Sequence, residues 1–474
     1  MNGAEHLLLK WFDSAPIGPS TVYLVGGTVR DLLLYGVPKD LDLVCKNARE
    51  FALGIARQKN ASFVPMEKKP DEPCYRVVDR EEKASFLDIA EMRGDTIHED
   101  LSRRDFTMNA LAVEIGRDLS LGGLIDPLKG AEDIKRKVVR RTGESSLSSD
   151  PLRILRAIRF SAALGFSIEQ STKDDIRRFA HLLALVSGER IMAEILLILN
   201  NSASISFIRQ MDDLGILEVI FPEITPMKGC PQNGFHHKDV WEHSLLVAEV
   251  CEHILNNLPE YFAYVVDKVR ATLTENNRMQ FLKLTALLHD VGKPATRGLN
   301  PETGRITFYG HDQEGAKRIA MVAARMRISG ACTDFMVSLT AEHLRILDLA
   351  SGKAKAATLM KWFRRMGDDA IPAIILSMAD VMGILGPDAT EEYRKRHIDW
   401  SVRNIDDYYR HMKRKIESAN LITVNDLIAL GMKPGPEIGK ILYEVRTAQD
   451  VGEIASREGA LKMAEKLLKG KDEV

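Results

Sequence analysis

The chain has 474 residues, with 45% hydrophobic and 28% charged residues and a formal net charge of −2, the profile of a soluble globular protein of about three domains. Near-neutrality means that any nucleic-acid contact must come from a local basic surface, and no apolar stretch reaches the length of a membrane span. The opening "MNGAEHLLLKWFDS" lacks a basic segment followed by a long apolar run, and the five scattered cysteines never pair as C-x-x-C, so reduced thiols, a cytoplasmic location and no secretory signal are expected.

Residues 20–127 alternate strand-like runs ("TVYLVGG", "DLDLV", "YRVVD", "ASFLDIA", "NALAVEI") with short helical patterns, which reads as one α/β domain. From about Pro151 the pattern becomes almost wholly helical. The stretch "FPEITPMKGCPQNGFHHKD" (221–239) carries three prolines and two glycines, the strongest boundary signal in the chain. A second helical block runs from "VWEHSLLVAEVCEHIL" to "DVMGILG", and a charged helical tail follows, broken by "GMKPGPEIGK". The expected division is a head (1–140), a helical neck (141–222), a metal-binding helical domain (223–400) and a tail (401–474).

Within the head, Asp40 and Asp42 stand one residue apart in "KDLDLV". In an extended segment both carboxylates point the same way, and two such charges need a cation between them. Mg²⁺ suits oxygen ligands of this kind, and Asp88 on a neighbouring strand can complete the set. The turn at Gly26 and Gly27 lets backbone approach a phosphate, with Arg30 nearby. In "SSDPLRILRAIRF", Ser149 or Asp150 is placed to cap a helix that begins at Pro151. Arg153, Arg156 and Arg159 share the face opposite Ile154 and Ile158; by pattern alone this is a solvated arginine edge. A carboxylate only accepts and a guanidinium only donates. Asp150 and Arg153 side by side would therefore match the amino and ring-acceptor edge of cytosine or adenine and mismatch guanine and uracil.

Further on, His243, the His289–Asp290 pair and Asp380 form a mixed N/O set on separate helices, suited to Mn²⁺, Ni²⁺, Co²⁺ or Fe²⁺. Lys293 could meet a substrate phosphate, and His311 and His343 could extend the set toward two metals. The basic stretches "KRKVVRR" (135–141) and "KAKAATLMKWFRR" (353–365) are candidate RNA-phosphate stripes. The turn in "GMKPGPEIGK" opens a helix whose first N–H groups could hold a phosphate.

"GGTVRDLLLYGVPKDLDLV", "RRDFTMNALAV", "DPLKGAEDI", "DPLRILRAIRFSAALGF" and "GERIMAEILLIL" occur in that order. Together they resemble the polymerase β-type nucleotidyltransferases, in the branch holding bacterial tRNA nucleotidyltransferases and poly(A) polymerases. The resemblance implies an α+β head with a mixed sheet, followed by an all-α neck, body and tail. It also implies that Asp40 and Asp42 hold catalytic Mg²⁺, that Arg104, Asp105 and Asn109 meet the nucleotide's sugar and triphosphate, and that Asp150 and Arg153 read the base. Ser149 stands where the family often has Glu. Only nine residues, "GDTIHEDLS", separate Arg93 from Arg103, where members that add all three nucleotides usually have a longer flexible loop. That resembles CC-adding enzymes. The H…HD…D order resembles the HD phosphohydrolase superfamily. The expected function is CMP addition to tRNA from CTP, with ATP use in a full CCA-adding variant. The alternatives are a poly(A) polymerase, an HD phosphohydrolase with a nucleotide-binding head, and a non-catalytic RNA-binding module. The sequence does not set the oligomeric state.

Overall fold

The computed structural model describes residues 2–12, 21–38, 40–66 and 73–469. The chain divides into two compact units, residues 1–201 with 210–220, and residues 202–209 with 221–474. No helix among the described residues is long and apolar enough to cross a membrane, and all five cysteines are free.

The first unit is built on a seven-stranded sheet. Its strands are β1 (Val22–Val25), β2 (Leu41–Cys45), β3 (Ser62–Met66), β4 (Cys74–Val78), β5 (Phe86–Glu91), β6 (Ala112–Ile115) and β7 (Leu121–Ile125). They lie in the order β3-β4-β5-β2-β1-β6-β7. Only β2 and β5 run parallel; every other pairing is antiparallel, so the sheet is mixed, as expected. The central strands are apolar on the buried positions: Leu24, Val44, Leu87 and Ile89 are all fully buried. Register places Asp42 opposite Asp88, and Arg76 opposite Asp88. Cross-strand partners share a face, so Arg76, Asp88 and Asp42 form one row across three strands.

Helices complete this unit. Gly27–Tyr35 follows β1 directly, and Leu152–Leu164 packs against Gly188–Leu199. Pro151 precedes the first full helical residue, and Asp150 is extended (φ −141°, ψ 91°) at the end of the short helix Ser146–Ser149.

The second unit is helical. Val240–Asn256 packs on Arg278–Leu288 and Ala370–Gly383, and His311–Arg325 packs on Gly330–Ala350. The HD glycine is required by close approach: a methyl group built on Gly292 would stand 2.2 Å from the His311 carbonyl oxygen. The tail has its own cluster, with Leu427, Ile441, Ala460 and Ala464 buried, and its "GMKPGPEIGK" segment opens the helix Pro436–Val451.

Candidate functional sites: a carboxylate cleft and a histidine–aspartate cluster

In the first unit a cavity of about 740 Å³ is lined by Gly26, Gly27, Arg30, Asp42, Asp88, Arg104, Asp105, Asn109, Asp150, Arg153 and Arg156. Eleven of the thirteen residues expected in the head site thus meet on one cavity; Asp40 and Arg159 are not in its lining. Asp40 lies just ahead of β2 and is exposed. Thr28 fastens it in place: its hydroxyl donates to the Asp40 carbonyl at 2.9 Å and accepts from the Asp42 N–H at 2.7 Å. Gly26 adopts φ 61° and ψ −124°, a region open in practice only to glycine. A methyl group there would also stand 2.9 Å from Arg104 Nη1, and one on Gly27 would stand 3.2 Å from Asp42 Oδ2. The bare turn therefore lets a carboxylate and a guanidinium close on the helix N-terminus, where an anion is favoured.

The remaining side chains are linked in series. Arg30 Nη1 donates to Asn109 Oδ1 at 2.8 Å, and Asn109 Nδ2 donates to Asp105 Oδ1 at 3.0 Å. Arg156 donates twice to Asp105 Oδ2, at 2.9 and 2.5 Å. Burial alone would push the Asp105 carboxyl up, but Arg156, Asn109 and the Phe106 N–H outweigh it and hold it well below the usual range. The arginines of the Leu152–Leu164 helix are not the solvated edge that pattern suggests. Arg153 is buried, donating to the carbonyls of Arg103, Arg104 and Ser146 and to the Ser146 hydroxyl. Arg159 turns away to Glu194 at 2.6 Å. Phe160, which sequence reasoning missed, packs under Arg30, Arg156 and Arg159. Also missed was Arg190, 3.8 Å from Asp150 and in the cavity lining.

Two more features of this cleft had no sequence signal. Asp100 is 1% exposed; it accepts from the Arg93 N–H at 3.0 Å and from Arg104 Nε at 2.9 Å. It sits in the short segment Gly94–Ser102, which folds as a helix (Ile97–Ser102) capped by Thr96. Asp88 carries a bidentate ion pair with Arg76, at 2.7 Å to each oxygen. Only oxygen donors face the cavity from Asp42 and Asp88, a set that fits Mg²⁺.

Four arginines of the basic stretches are paired with acidic residues. Arg140 bonds Asp133 and Glu169, Arg141 bonds Asp175, and Arg364 and Arg365 lie against Asp450 and Glu342.

In the second unit, six buried side chains fall into two trios: His243, His289 and Asp380, and Asp290, His311 and His343. The four expected ligands come together, and His311 and His343 join them. His243 Nε2 lies 3.0 Å from Asp380 Oδ1, and Asp290 spans the trios, 3.2 Å from His289 Nε2 and 3.4 Å from His311 Nε2. His289, His311 and His343 each bond a carbonyl three residues earlier through Nδ1, at 2.9, 2.7 and 2.6 Å. Only a protonated Nδ1 can donate there, so each neutral ring presents Nε2 inward as a lone pair, the arrangement of a metal-ligating histidine. His289 Nε2 and Asp290 Oδ1 are buried without a hydrogen-bond partner, which fits a divalent cation between them. Burial would lower His289 and raise Asp290; their mutual attraction wins, raising His289 and lowering Asp290. Burial dominates His343 and holds it down at about 4. Lys293 Nζ stands 2.6 Å from Asp290 and 2.8 Å from Gln232 Oε1.

Family models match in three places: the poly A polymerase head domain over residues 22–140, the probable RNA- and SrmB-binding site of polymerase A over 165–228, and the HD domain over 240–383. An A-adding tRNA nucleotidyltransferase of Deinococcus radiodurans is 30% identical over 94% of this chain and 95% of its own. A CC-adding tRNA nucleotidyltransferase of Thermus thermophilus is 31% identical over 93% and 92%. Among solved structures, a Thermotoga maritima CCA-adding enzyme complexed with tRNA shares the fold, with TM-score 0.62 and 24% identity over 98% of this chain and 95% of its own. With the head motifs converging on one cavity, the chain belongs to the tRNA nucleotidyltransferase family, and it is an enzyme.

Proposed function

We propose that this protein adds CMP to the 3′ end of tRNA and stops after two residues. The observation that carries this reading is the segment Gly94–Ser102. It is short, helical and pinned by buried Asp100 to Arg93 at one end and Arg104 at the other. A pocket so held has little freedom to change shape between cytosine and the larger adenine. Overall identity does not discriminate, since relatives of opposite specificity are 30% and 31% identical.

In the proposed reaction the RNA 3′-hydroxyl gives up its proton to solvent, its oxygen bonds to the α-phosphorus of CTP, the bond from that phosphorus to the α,β-bridging oxygen breaks, and pyrophosphate leaves. Asp40 and Asp42 are the residues that hold Mg²⁺, which supplies activation of the hydroxyl and neutralisation of the leaving group. The Gly26–Gly27 turn, Arg30 and Arg104 take the triphosphate. Asp105 and Asn109 hold Arg156 and Arg30 in the cleft beside the sugar. Asp150 and Arg153 read the base; pinning Arg153 to three carbonyls keeps its donors fixed, the preorganisation that base discrimination needs. Reading the head as 1–140, the neck as 141–222, the HD domain as 223–400 and the tail as 401–474 assigns catalysis, base reading, a second metal centre and tRNA grip in that order. The second centre fits Mn²⁺, Ni²⁺, Co²⁺ or Fe²⁺ and a phosphohydrolase acting on RNA-end phosphates.

The test is product length on a gel, with tRNA transcripts lacking CCA or ending in CC, and labelled CTP, ATP or both. Two added residues and no AMP on the CC-ended transcript are expected. AMP on that transcript overturns the CC-adding reading, and a long A-ladder moves the protein to poly(A) polymerase.

A further inference from the structure

The third carboxylate of the head row, Asp88, faces the cavity with Asp42, yet both of its oxygens accept from Arg76, Nε to Oδ1 and Nη2 to Oδ2, each at 2.7 Å. A guanidinium fork of this kind occupies the inner lone pairs of a carboxylate, the same pairs a divalent cation prefers. Arg76 does not line the cavity; it comes from β4, the strand beyond β5, and shares the row with Asp88 and Asp42 through register. Its guanidinium also lies 3.9 Å from the centre of the Phe86 ring. The guanidinium therefore rests on an aromatic face while it pairs with Asp88. The Arg76 side chain is about a third exposed and that of Asp88 is mostly covered, so the arginine has room to move while the carboxylate does not.

The geometry points to Arg76 as a brake on the head metal site: it withholds Asp88, so that the resting centre binds its divalent cation through Asp40 and Asp42 alone and binds it weakly. Arg76 lies outside the cavity lining and acts through Asp88, as a positioning residue. Weak resting affinity would make cation binding depend on the triphosphate, whose oxygens supply the ligands that Asp88 does not. This inference rests on the reading of Asp42 as a metal ligand.

The experiment is Mn²⁺ binding to the full chain, followed by the electron paramagnetic resonance signal of free Mn²⁺. The head share is defined as the binding lost in Asp42→Ala. Arg76→Met should tighten that share about tenfold, the factor matching about 1.4 kcal/mol at the low end for a hydrogen bond to a charged group. Asp88→Asn alone should leave it within about twofold of wild type, and adding Asp88→Asn to Arg76→Met should abolish the gain. Where Arg76→Met does not melt cooperatively, Arg76→Gln serves in its place. No tightening on loss of the charge, or a large loss in Asp88→Asn alone, overturns the brake. No binding lost in Asp42→Ala overturns instead the metal reading beneath it.

Discussion

Replacing Asp100 by asparagine changes almost no volume and removes one charge from the point where both ends of the short segment are tied. Its side chain accepts from the Arg93 N–H at 3.0 Å and pairs with Arg104 at 2.9 Å and Arg93 Nε at 3.5 Å. Asp100 is nearly inaccessible and the Arg104 side chain is 17% exposed, so solvent screens the pair only weakly. Removing one partner of such a pair costs about 3 kcal/mol, because the arginine left behind is not resolvated. For a unit of roughly 200 residues, where 1 kcal/mol shifts the midpoint by about 2–4 °C, this lowers the first unit's Tm by about 6–12 °C. At temperatures where the variant stays folded, Arg104 is no longer held against the Gly26 turn. The KM for CTP should rise about tenfold, and AMP should begin to appear on CC-ended tRNA. Differential scanning calorimetry and single-nucleotide incorporation read the two effects separately. An Asp100→Asn protein with wild-type melting and an unchanged ratio of CMP to AMP would refute the claim that this carboxylate holds the pocket rigid.

Gly26→Ala forces a methyl group into a glycine-only conformation and against Arg104 Nη1; about 3 kcal/mol of strain or displacement corresponds to a loss of about 10²-fold in kcat/KM for CMP addition. Asp40→Ala should abolish CMP incorporation and leave hydrolysis of a 2′,3′-cyclic phosphate intact, whereas His289→Ala should lower bound metal, read by mass spectrometry of the purified protein, and leave CMP incorporation intact. If both activities fall together in either variant, the two centres are not independent. His397 is buried beside the Ser377 hydroxyl at 3.1 Å, and burial holds its pKa down at about 4. The unfolded chain, titrating near 6.5, then binds more protons between pH 6.5 and 4, so stability falls as pH drops through that window. The loss from this one histidine is about 3 kcal/mol, and thermal melts of His397→Gln should show a shallower acid slope than wild type. An identical slope would mean that His397 is not held neutral.

Five strands of the head sheet are legible because their apolar runs alternate or bury fully: Val22–Val25, Leu41–Cys45, Cys74–Val78, Phe86–Glu91 and Ala112–Ile115. The two that escape detection are β3, which contains Pro65, and β7, which begins Leu-Gly-Gly. Both are the outermost strands of the sheet, and an edge is where proline and glycine are tolerated. Local propensity argued against them, and only the pairing with β4 and β6 reveals them. The arginines after Pro151 show the complementary limit. Periodicity places Arg153, Arg156 and Arg159 on one face, but what covers that face comes from Arg103, Arg104, Asp105 and Glu194, residues 35 to 51 positions away for the side-chain pairs. Spacing within a helix carries no information about such partners. In the second unit the histidine tautomers come from contacts only three residues apart, so helical context at each His was a usable local signal.

The two candidate centres solve the same electrostatic problem in opposite ways. In the helical unit, Asp290 and Asp380 are almost wholly removed from water and share their surroundings with four imidazoles and Lys293. Desolvation there is so costly that the carboxylates stay ionised only because cationic or metal partners are built in. With three ring orientations set by backbone carbonyls, a cation enters a site that needs no rearrangement. In the head, Asp40 is exposed and Asp42 half-buried, so water carries part of the charge, and the third acid of the row, Asp88, has Arg76 as its counter-ion. A nucleotidyl-transfer centre must accept a triphosphate and release pyrophosphate in every cycle. A tight, permanent cation would bind the pyrophosphate as strongly as the substrate, and uniform binding of that kind adds nothing to turnover. A half-solvated aspartate pair with its third member withheld is suited to a cation that arrives and leaves with the phosphates. The sealed cluster is suited to one that stays.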